Sequence, residues 1–318
     1  MLAIRFHSFG ARAMCAGMSQ TPLLFDSALR RRRRDRAAPG FAEAAFLHQE
    51  AAARIADRLE EVTRRFPDAA VFGAADGVFG RALTGRFGVE RLSEYERAPA
   101  LAALGGAQFQ DGETLPIAPE SLDLIVSGLE LHALDDPVGA LVQMRRALRP
   151  DGLFLGVLFG GATLSELRAA FGQAEAEVEG GLSPRVAPMA EIRDLGALLQ
   201  RAGFALPVAD SDRLTVWHPS PLHLMRDLRA MGETNALRDR RRGFLRRDTL
   251  ARACELYAEA YSREDGKVRA TFELVFLTGW APDASQQQPL RPGSATTRLA
   301  DALGAEERSA GEKAGSGE

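Results

Sequence analysis

Leu122-Asp123-Leu124-Ile125-Val126-Ser127, a loop holding His132, a segment opened by Asp136-Pro137, then Arg149-Pro150-Asp151-Gly152 and Leu153-Phe154-Leu155-Gly156-Val157-Leu158-Phe159: this run, closed by Gly160-Gly161, decides the fold. Its two apolar stretches are short and nearly continuous, as in strands covered on both faces of a parallel sheet. Between them Asp136 is placed to cap the free amides of a helix, and Pro137 suits the first helical position, which needs no backbone N–H. Val138, Leu141, Val142 and Leu148 share one helical face. Arg145, Arg146 and Arg149 fall toward its carbonyl end, where positive charge complements the dipole. Pro150-Asp151-Gly152 stops the helix and turns the chain. The unit is a strand–helix–strand crossover of the usual right hand.

The totals set broad bounds. A chain of 318 residues with 46% hydrophobic content has enough apolar material for a sizeable core. A net charge of −3 carries no message about nucleic acid, so only local charge bears on it. The two cysteines, Cys15 and Cys254, have neither metal-site spacing nor the makings of a disulfide framework. That usage reads as a reducing, cytoplasmic location. No apolar stretch reaches bilayer-spanning length.

Upstream, residues 1–24 have no periodicity; they carry Arg5 and Arg12 and read either as a transit-peptide-like leader or as a start placed ahead of Met14 or Met18. Residues 25–66 form an N-terminal helical arm. Its arginine run, Arg30 to Arg34, has no interleaved aromatics on which bases would stack. It therefore reads as an exposed segment against water or an acidic neighbour, with no nucleic-acid partner. Phe41 to Phe66 reads as one long helix with Phe46, Ile55, Leu59 and Val62 buried. Ala69-Ala70-Val71-Phe72-Gly73 is a short strand, and the loop through Gly77 leads into a helix reaching Phe87. Strand, glycine-containing loop and helix open a nucleotide-binding sheet, although the Gly-x-Gly-x-x-Gly pattern is absent. Leu92 to Tyr95 is a weak second strand, a helix lies near Pro99–Leu104, and Phe109 to Glu113 ends a third strand.

Downstream, Thr163 and Glu166 have the spacing of a capping box. Ile192 to Ala202 is a helix closed by Gly203, Leu214 to Trp217 is a strand, and Phe272 to Trp280 is another. Between those strands residues 218–270 form an insertion with helices at Leu222–Met231 and Phe244–Tyr261, while His218 and His223 read as surface residues. Residues 283–318 are rich in Gln, Gly, Ser and Glu and read as mostly disordered, with a helical turn at Leu299–Leu303.

Ligands of open α/β sheets bind at the carboxyl edge of the strands. Here that edge offers Gly73, Gly77, Tyr95, Asp111, Gly112, Leu129 and His132. His132 is the single catalytic candidate, as a base or a substrate-orienting group. The bland reading of His132, a loop histidine held by backbone contacts, has more weight. Asp123, inside an apolar strand, tunes the local fold or lines the pocket. No P-loop or Ser-His-Asp pattern is visible, and no metal is read from the sequence. Methyl transfer remains chemically open, because it needs alignment and a dry pocket more than an acid–base pair.

Asp111, Leu115-Pro116, Leu122 to Ser127, Leu131-His132 and Leu148 to Gly152 together resemble class I S-adenosylmethionine-dependent methyltransferases. The resemblance narrows through Phe25-Asp26, Phe159 to Arg168, Glu179 to Pro184, Met231-Gly232-Glu233-Thr234-Asn235 and Arg247 to Leu250. These stretches look like the family of mitochondrial complex I assembly factors described as arginine hydroxylases. The implied architecture is α/β: a Rossmann-like, seven-stranded methyltransferase sheet over residues 67–217, completed by a strand at 271–282, with the N-terminal helical arm and a helical lid at 218–270. The implied cofactor is S-adenosyl-L-methionine, held by Gly73, Gly77, Tyr95 at the ribose position, Asp111, Gly112 and Leu129.

Three positions depart from the methyltransferase motif: Val71 in place of an acid, Ala75 in place of the middle glycine, and Tyr95, flanked by Glu94 and Glu96, in place of the ribose carboxylate. They leave open whether the cofactor is retained. The first reading is a methyltransferase-type enzyme acting on a protein in assembly of respiratory complex I; the narrower resemblance itself implies hydroxylation of an arginine. Two alternatives stand: a protein-arginine hydroxylase on the same fold, and a non-catalytic assembly chaperone. The implied partner is a subunit of NADH–ubiquinone oxidoreductase, with the membrane reached only peripherally through it, at the inner membrane.

Overall fold

The two apolar stretches become central strands of a seven-stranded sheet. The computed structural model describes residues 23–287, Asp301 and Gly304. The readings made for residues 1–22, and those for the tail beyond residue 287 with its turn at Leu299–Leu303, lie outside the described residues. The described residues up to Pro282 form one compact unit.

The strands are β1 (Asp68–Phe72), β2 (Arg91–Glu96), β3 (Gln108–Phe109), β4 (Leu122–Gly128), β5 (Leu148–Phe159), β6 (Ala205–His218) and β7 (Val268–Trp280). They lie in the order β3-β2-β1-β4-β5-β7-β6. The first five are mutually parallel, and β7 runs antiparallel between β5 and β6. The helices are α1 (Ser27–Ala37), α2 (Phe41–Ala44), α3 (Phe46–Glu60), α4 (Val78–Leu83), α5 (Pro99–Gly105), α6 (Pro137–Ala147), α7 (Ser165–Glu179), α8 (Ile192–Ala202), α9 (Pro221–Ala230) and α10 (Arg247–Tyr261).

Every residue of β4 is buried, as expected of a strand covered on both faces. Side chains alternate across the sheet. Val71, Leu124 and Val126 enter the core shared with α3, α7 and α10, whereas Ala70, Phe72 and Ile125 enter the core under α6 and α8. The start of α6 follows its sequence: the Asp136 carboxylate accepts from the Gly139 N–H at 2.8 Å, and Pro137 is the first helical residue.

Several local readings differ from the structure. The long helix expected over 41–66 is split at Ala45 into α2 and α3, and α3 ends at Glu60. The strand expected at Leu214–Trp217 spans 14 residues: β6 is an edge strand, and its exposed face mixes Ser211, Arg213 and Thr215 with Leu206, Val208 and Trp217. Pro207 is tolerated there beside a bulge between Ala205 and Val208. The capping box does not form. Thr163 Oγ1 donates to the Glu273 carbonyl and Glu166 accepts from the Thr271 N–H, so both residues tie the start of α7 to β7. His218 is buried against Asp227, 3.0 Å away, and is not a surface residue. Asp123 lies at the amino end of β4, where it accepts from the Asp68 N–H at 2.9 Å; it is a structural tie and no part of a carboxyl-edge pocket.

Candidate active site

Parallel strands bring β1, β2, β4 and β5 to one carboxyl edge. At this edge Gly73 has φ +70°, and a Cβ there would lie 2.4 Å from the Gly128 carbonyl oxygen, so glycine lets neighbouring strand ends close up.

The arm covers the edge. Asp26 caps α1 by accepting from the Leu29 N–H at 3.0 Å. Positions 30, 34, 37, 38 and 41 are buried, which makes one continuous helical face out of a run that reads as uniformly charged. Arg34 is 2% exposed and lies 2.6 Å from Glu233 Oε1 and 3.2 Å from Glu96 Oε2. Arg30 reaches Glu130 at 3.0 Å and Glu233 at 3.3 Å, and Arg97 Nε lies 3.2 Å from Glu130. Charged groups survive such burial only when paired, and three arginines here face three glutamates. Burial alone would raise the Glu130 and Glu233 carboxyls, but the Arg30 guanidinium, helped by Arg34 and at Glu130 also by Arg97, holds each down at about 2.

Two histidines border this network. Burial holds His48 down at about 3, with Arg34 adding to the effect, and holds His132 down at about 4. Both rings are therefore neutral near pH 7. Among the described residues, neither ring has a hydrogen-bond partner on either nitrogen. His132 packs edge-on against Phe159, with centroids 4.8 Å apart, at the wall of a cavity of about 330 Å³. Arg30, Glu233, Thr163 and Met225 also line this chamber, and the remaining surface is mostly apolar. A second cavity of about 250 Å³ shares Phe25 and His132 with it.

Arm and lid are zipped together above the chamber. Phe25 bridges to Leu237, Asp26 N–H donates to the Ala236 carbonyl at 2.8 Å, and Arg238 N–H donates to the Leu24 carbonyl at 3.0 Å. Gly232 has φ +76°, and a Cβ there would come within 2.9 Å of Arg34 Cα. Only glycine allows that approach, and it delivers Glu233 to both arginines.

The residues read from the sequence are scattered by comparison. His132 is in the chamber wall. Gly73 and Leu129 lie at strand ends, with Leu129 in the core at φ +48°. Gly77 precedes α4 with φ +82°. Tyr95 stacks on Phe72 with centroids 5.1 Å apart, in the core under α6 and α8. The Asp111 side chain is 79% exposed and paired with Arg31 at 3.0 Å, and Gly112 follows it on the surface. The sequence reading missed Arg30, Arg34, His48, Glu130 and Glu233 as site residues, and it reached Glu96 only as a neighbour of Tyr95 that could substitute after a one-residue slip.

An adenosyl ligand needs a free carboxylate at the end of β2. Glu96 stands there with no exposure, and both of its oxygens are engaged. Oε2 accepts from the Ala75 N–H at 2.9 Å and from Arg34, and Oε1 accepts from the N–H groups of Arg97 and Ala98. Ala75 is itself enclosed by Ala38, Phe41, Ala45, Ala98 and Leu101. As arranged, these residues do not fit an adenosyl group.

A methyltransferase-domain family profile matches residues 89–156. The Danio rerio protein named arginine-hydroxylase NDUFAF5, mitochondrial, is 37% identical over 287 residues, 87% of this chain and 89% of that one. Its Homo sapiens namesake is 37% identical over 315 residues, covering 92% of this chain and 89% of its own. The chain belongs to the NDUFAF5 arginine-hydroxylase family. A malonyl-[acyl-carrier protein] O-methyltransferase of Laribacter hongkongensis is 33% identical over 81% of this chain and 91% of that one. The YcgJ protein of Bacillus subtilis has the same fold, with a TM-score of 0.51 at 14% identity, over 74% of this chain and 99% of that one.

NDUFAF5 membership overturns one expectation. The relatives are named mitochondrial, which contradicts the cytoplasmic location, peripheral at an inner membrane, read here. Scarce cysteines report only that the surroundings keep thiols reduced, and this does not single out the cytoplasm. Among the described residues no helix is long and apolar enough to cross a membrane. In this NDUFAF5-family protein, three of the stretches that carry the narrower resemblance line the chamber, through Phe25, Phe159 to Leu167 and Met231 to Asn235, while Glu179 to Pro184 and Arg247 to Leu250 lie outside its lining. Asn235 Nδ2 donates to the Pro184 carbonyl at 2.7 Å, and Thr249 Oγ1 donates to Glu179 at 2.6 Å.

Proposed function

We propose that this protein hydroxylates an arginine of a protein substrate, in assembly of respiratory complex I, and that the chamber beside His132 receives the arginine side chain. The observation carrying this reading is that the match to the arginine-hydroxylases includes the arm and the lid, the two parts that wall the chamber. The mainly apolar lining suits the aliphatic stem of an arginine, and Glu233 stands at the polar end. In hydroxylation a carbon–hydrogen bond of the substrate arginine is replaced by a carbon–hydroxyl bond. Dioxygen supplies the oxygen atom, and a two-electron donor with two protons reduces its second atom to water. Neutral His132 offers one N–H and one lone pair to orient the substrate.

The methyltransferase fold and family support S-adenosyl-L-methionine as cofactor. With Glu96 engaged and Ala75 enclosed, the arrangement described leaves no free carboxylate at the end of β2 to hold its ribose. The O-methyltransferase relatives favour a second reading, methyl transfer to the same substrate. The test is intact mass of a subunit of NADH–ubiquinone oxidoreductase incubated with the protein, dioxygen, a reductant and S-adenosyl-L-methionine. Gain of one oxygen on an arginine, lost in His132→Phe, is expected. Gain of a methylene would select the second reading, and no gain would leave an assembly chaperone.

A further inference from the structure

Arg30 is the part of the arm that looks into the chamber, and its guanidinium lies between Glu130 at 3.0 Å and Glu233 at 3.3 Å. A guanidinium presents a planar fork of donors, and two carboxylates at its edges are the arrangement that binds one. Resting on the arginine reading above, we propose that the Glu130–Glu233 pair is the guanidinium-binding site for the substrate arginine, and that Arg30 occupies it as an internal pseudosubstrate.

The placement supports this. Glu233 lines the chamber from the lid, and Glu130, two residues past the end of β4, meets the same Arg30 guanidinium from outside the chamber lining. Withdrawal of α1 takes Arg30 and Arg34 away together and leaves Glu96, Glu130 and Glu233 facing Arg97 alone. Such a site attracts a cation strongly. The start of the arm is held by polar contacts, to the lid loop through Ala236, Arg238 and Arg240 and to the Asp135 carboxylate, and it can leave without breaking a strand of the sheet.

The prediction is competition between the arm and an arginine side chain. The probe is N-acetyl-arginine amide, with the citrulline analogue as its uncharged match, added to the full-length protein. Hydrogen exchange of the α1 amides should rise with the arginine probe and stay unchanged with the citrulline one. Arg30→Met keeps the alkyl stem and removes the competitor. It leaves Glu130 with Arg97 at 3.2 Å and Glu233 with Arg34 at 2.6 Å, so neither carboxylate is stranded. By population-shift arithmetic its apparent affinity for the probe should improve by about tenfold or more. Unchanged exchange in α1, equal affinity of wild type and Arg30→Met, or equal binding of the citrulline analogue would each overturn the proposal. The mass assay keeps the two ideas apart. Oxygen gain without arm displacement defeats the pseudosubstrate and spares the hydroxylase. Displacement without any oxygen gain under turnover conditions does the reverse.

Discussion

The same strands carry an arginine–carboxylate network at each end, and the two networks behave differently. At the amino end Asp68 pairs with Arg91 and with Arg149 at 3.0 Å, and Asp123 pairs with Arg149 at 2.8 Å. The arginine side chains there are 70% and 39% exposed, so water competes for every contact. At the carboxyl end Arg30 and Arg34 are 9% and 2% exposed; the carboxylates at both ends are largely covered, so the contrast lies in the arginines. The amino-end network fastens a sheet edge. The carboxyl-end network holds ionised groups beside a cavity, an arrangement that stability alone does not call for, since apolar packing would serve as well. The difference supports the reading proposed above, in which the carboxyl end carries the site.

The sharpest way to break this comparison is to remove the shared carboxylate. Glu233→Ala strips one partner from both Arg30 and Arg34 while leaving them buried. Destabilisation of about 3–5 kcal/mol is expected, read as a loss of urea stability. A loss no larger than that of an amino-end variant would mean the two networks are equivalent.

Next in size is Gly73→Ala. The added methyl meets the Gly128 carbonyl at 2.4 Å at a backbone φ of +70°. A cost of roughly 2–3 kcal/mol is expected. A neutral result would show that the strand ends open readily, which would also make room for an adenosyl group.

Acid titration separates the ends in another way. His48 and His132 have folded values of about 3 and about 4, below the ~6.5 of an unfolded histidine. The unfolded state therefore binds more protons in that interval, and stability must fall as pH drops from about 6.5 toward 4. Glu130 and Glu233, depressed to about 2, add a second loss as pH falls below the ~4.3 of an unfolded glutamate. His48→Phe keeps a ring against Phe41, whose centroid lies 5.0 Å away. It should flatten the first loss and spare the second in urea titrations across this range. An unaltered profile would remove the buried neutral ring as the cause.

The central crossover is legible in the sequence because burial on both faces forces continuous apolar runs, and because Asp136 and Pro137 punctuate the helix between them. The site is legible only in part. His132 is visible as a histidine at a strand end. The arm's inward face is hidden because five consecutive arginines erase the contrast on which helical periodicity depends. Only Ala37, Ala38 and Phe41 beyond the run set its phase. Glu96 is hidden by a single residue: the motif alignment points to Tyr95, which faces the other core and stacks on Phe72. Glu233 lies 103 residues beyond Glu130 and meets it only through the fold.

The smallest effect belongs to Asp123. Its place in an apolar strand invites a pocket role, yet its carboxylate sits at the amino end and accepts from the Asp68 N–H and from Arg149. Asp123→Asn retains a carbonyl oxygen for the Asp68 N–H and gives up only the charge facing Arg149. Because that arginine is 39% exposed, water replaces much of what is lost, and the cost should stay near or below about 1 kcal/mol with substrate modification unchanged. A loss of modification with stability intact would place chemistry at the wrong end of the sheet. The contrast between the two networks would then have to be explained by something other than function.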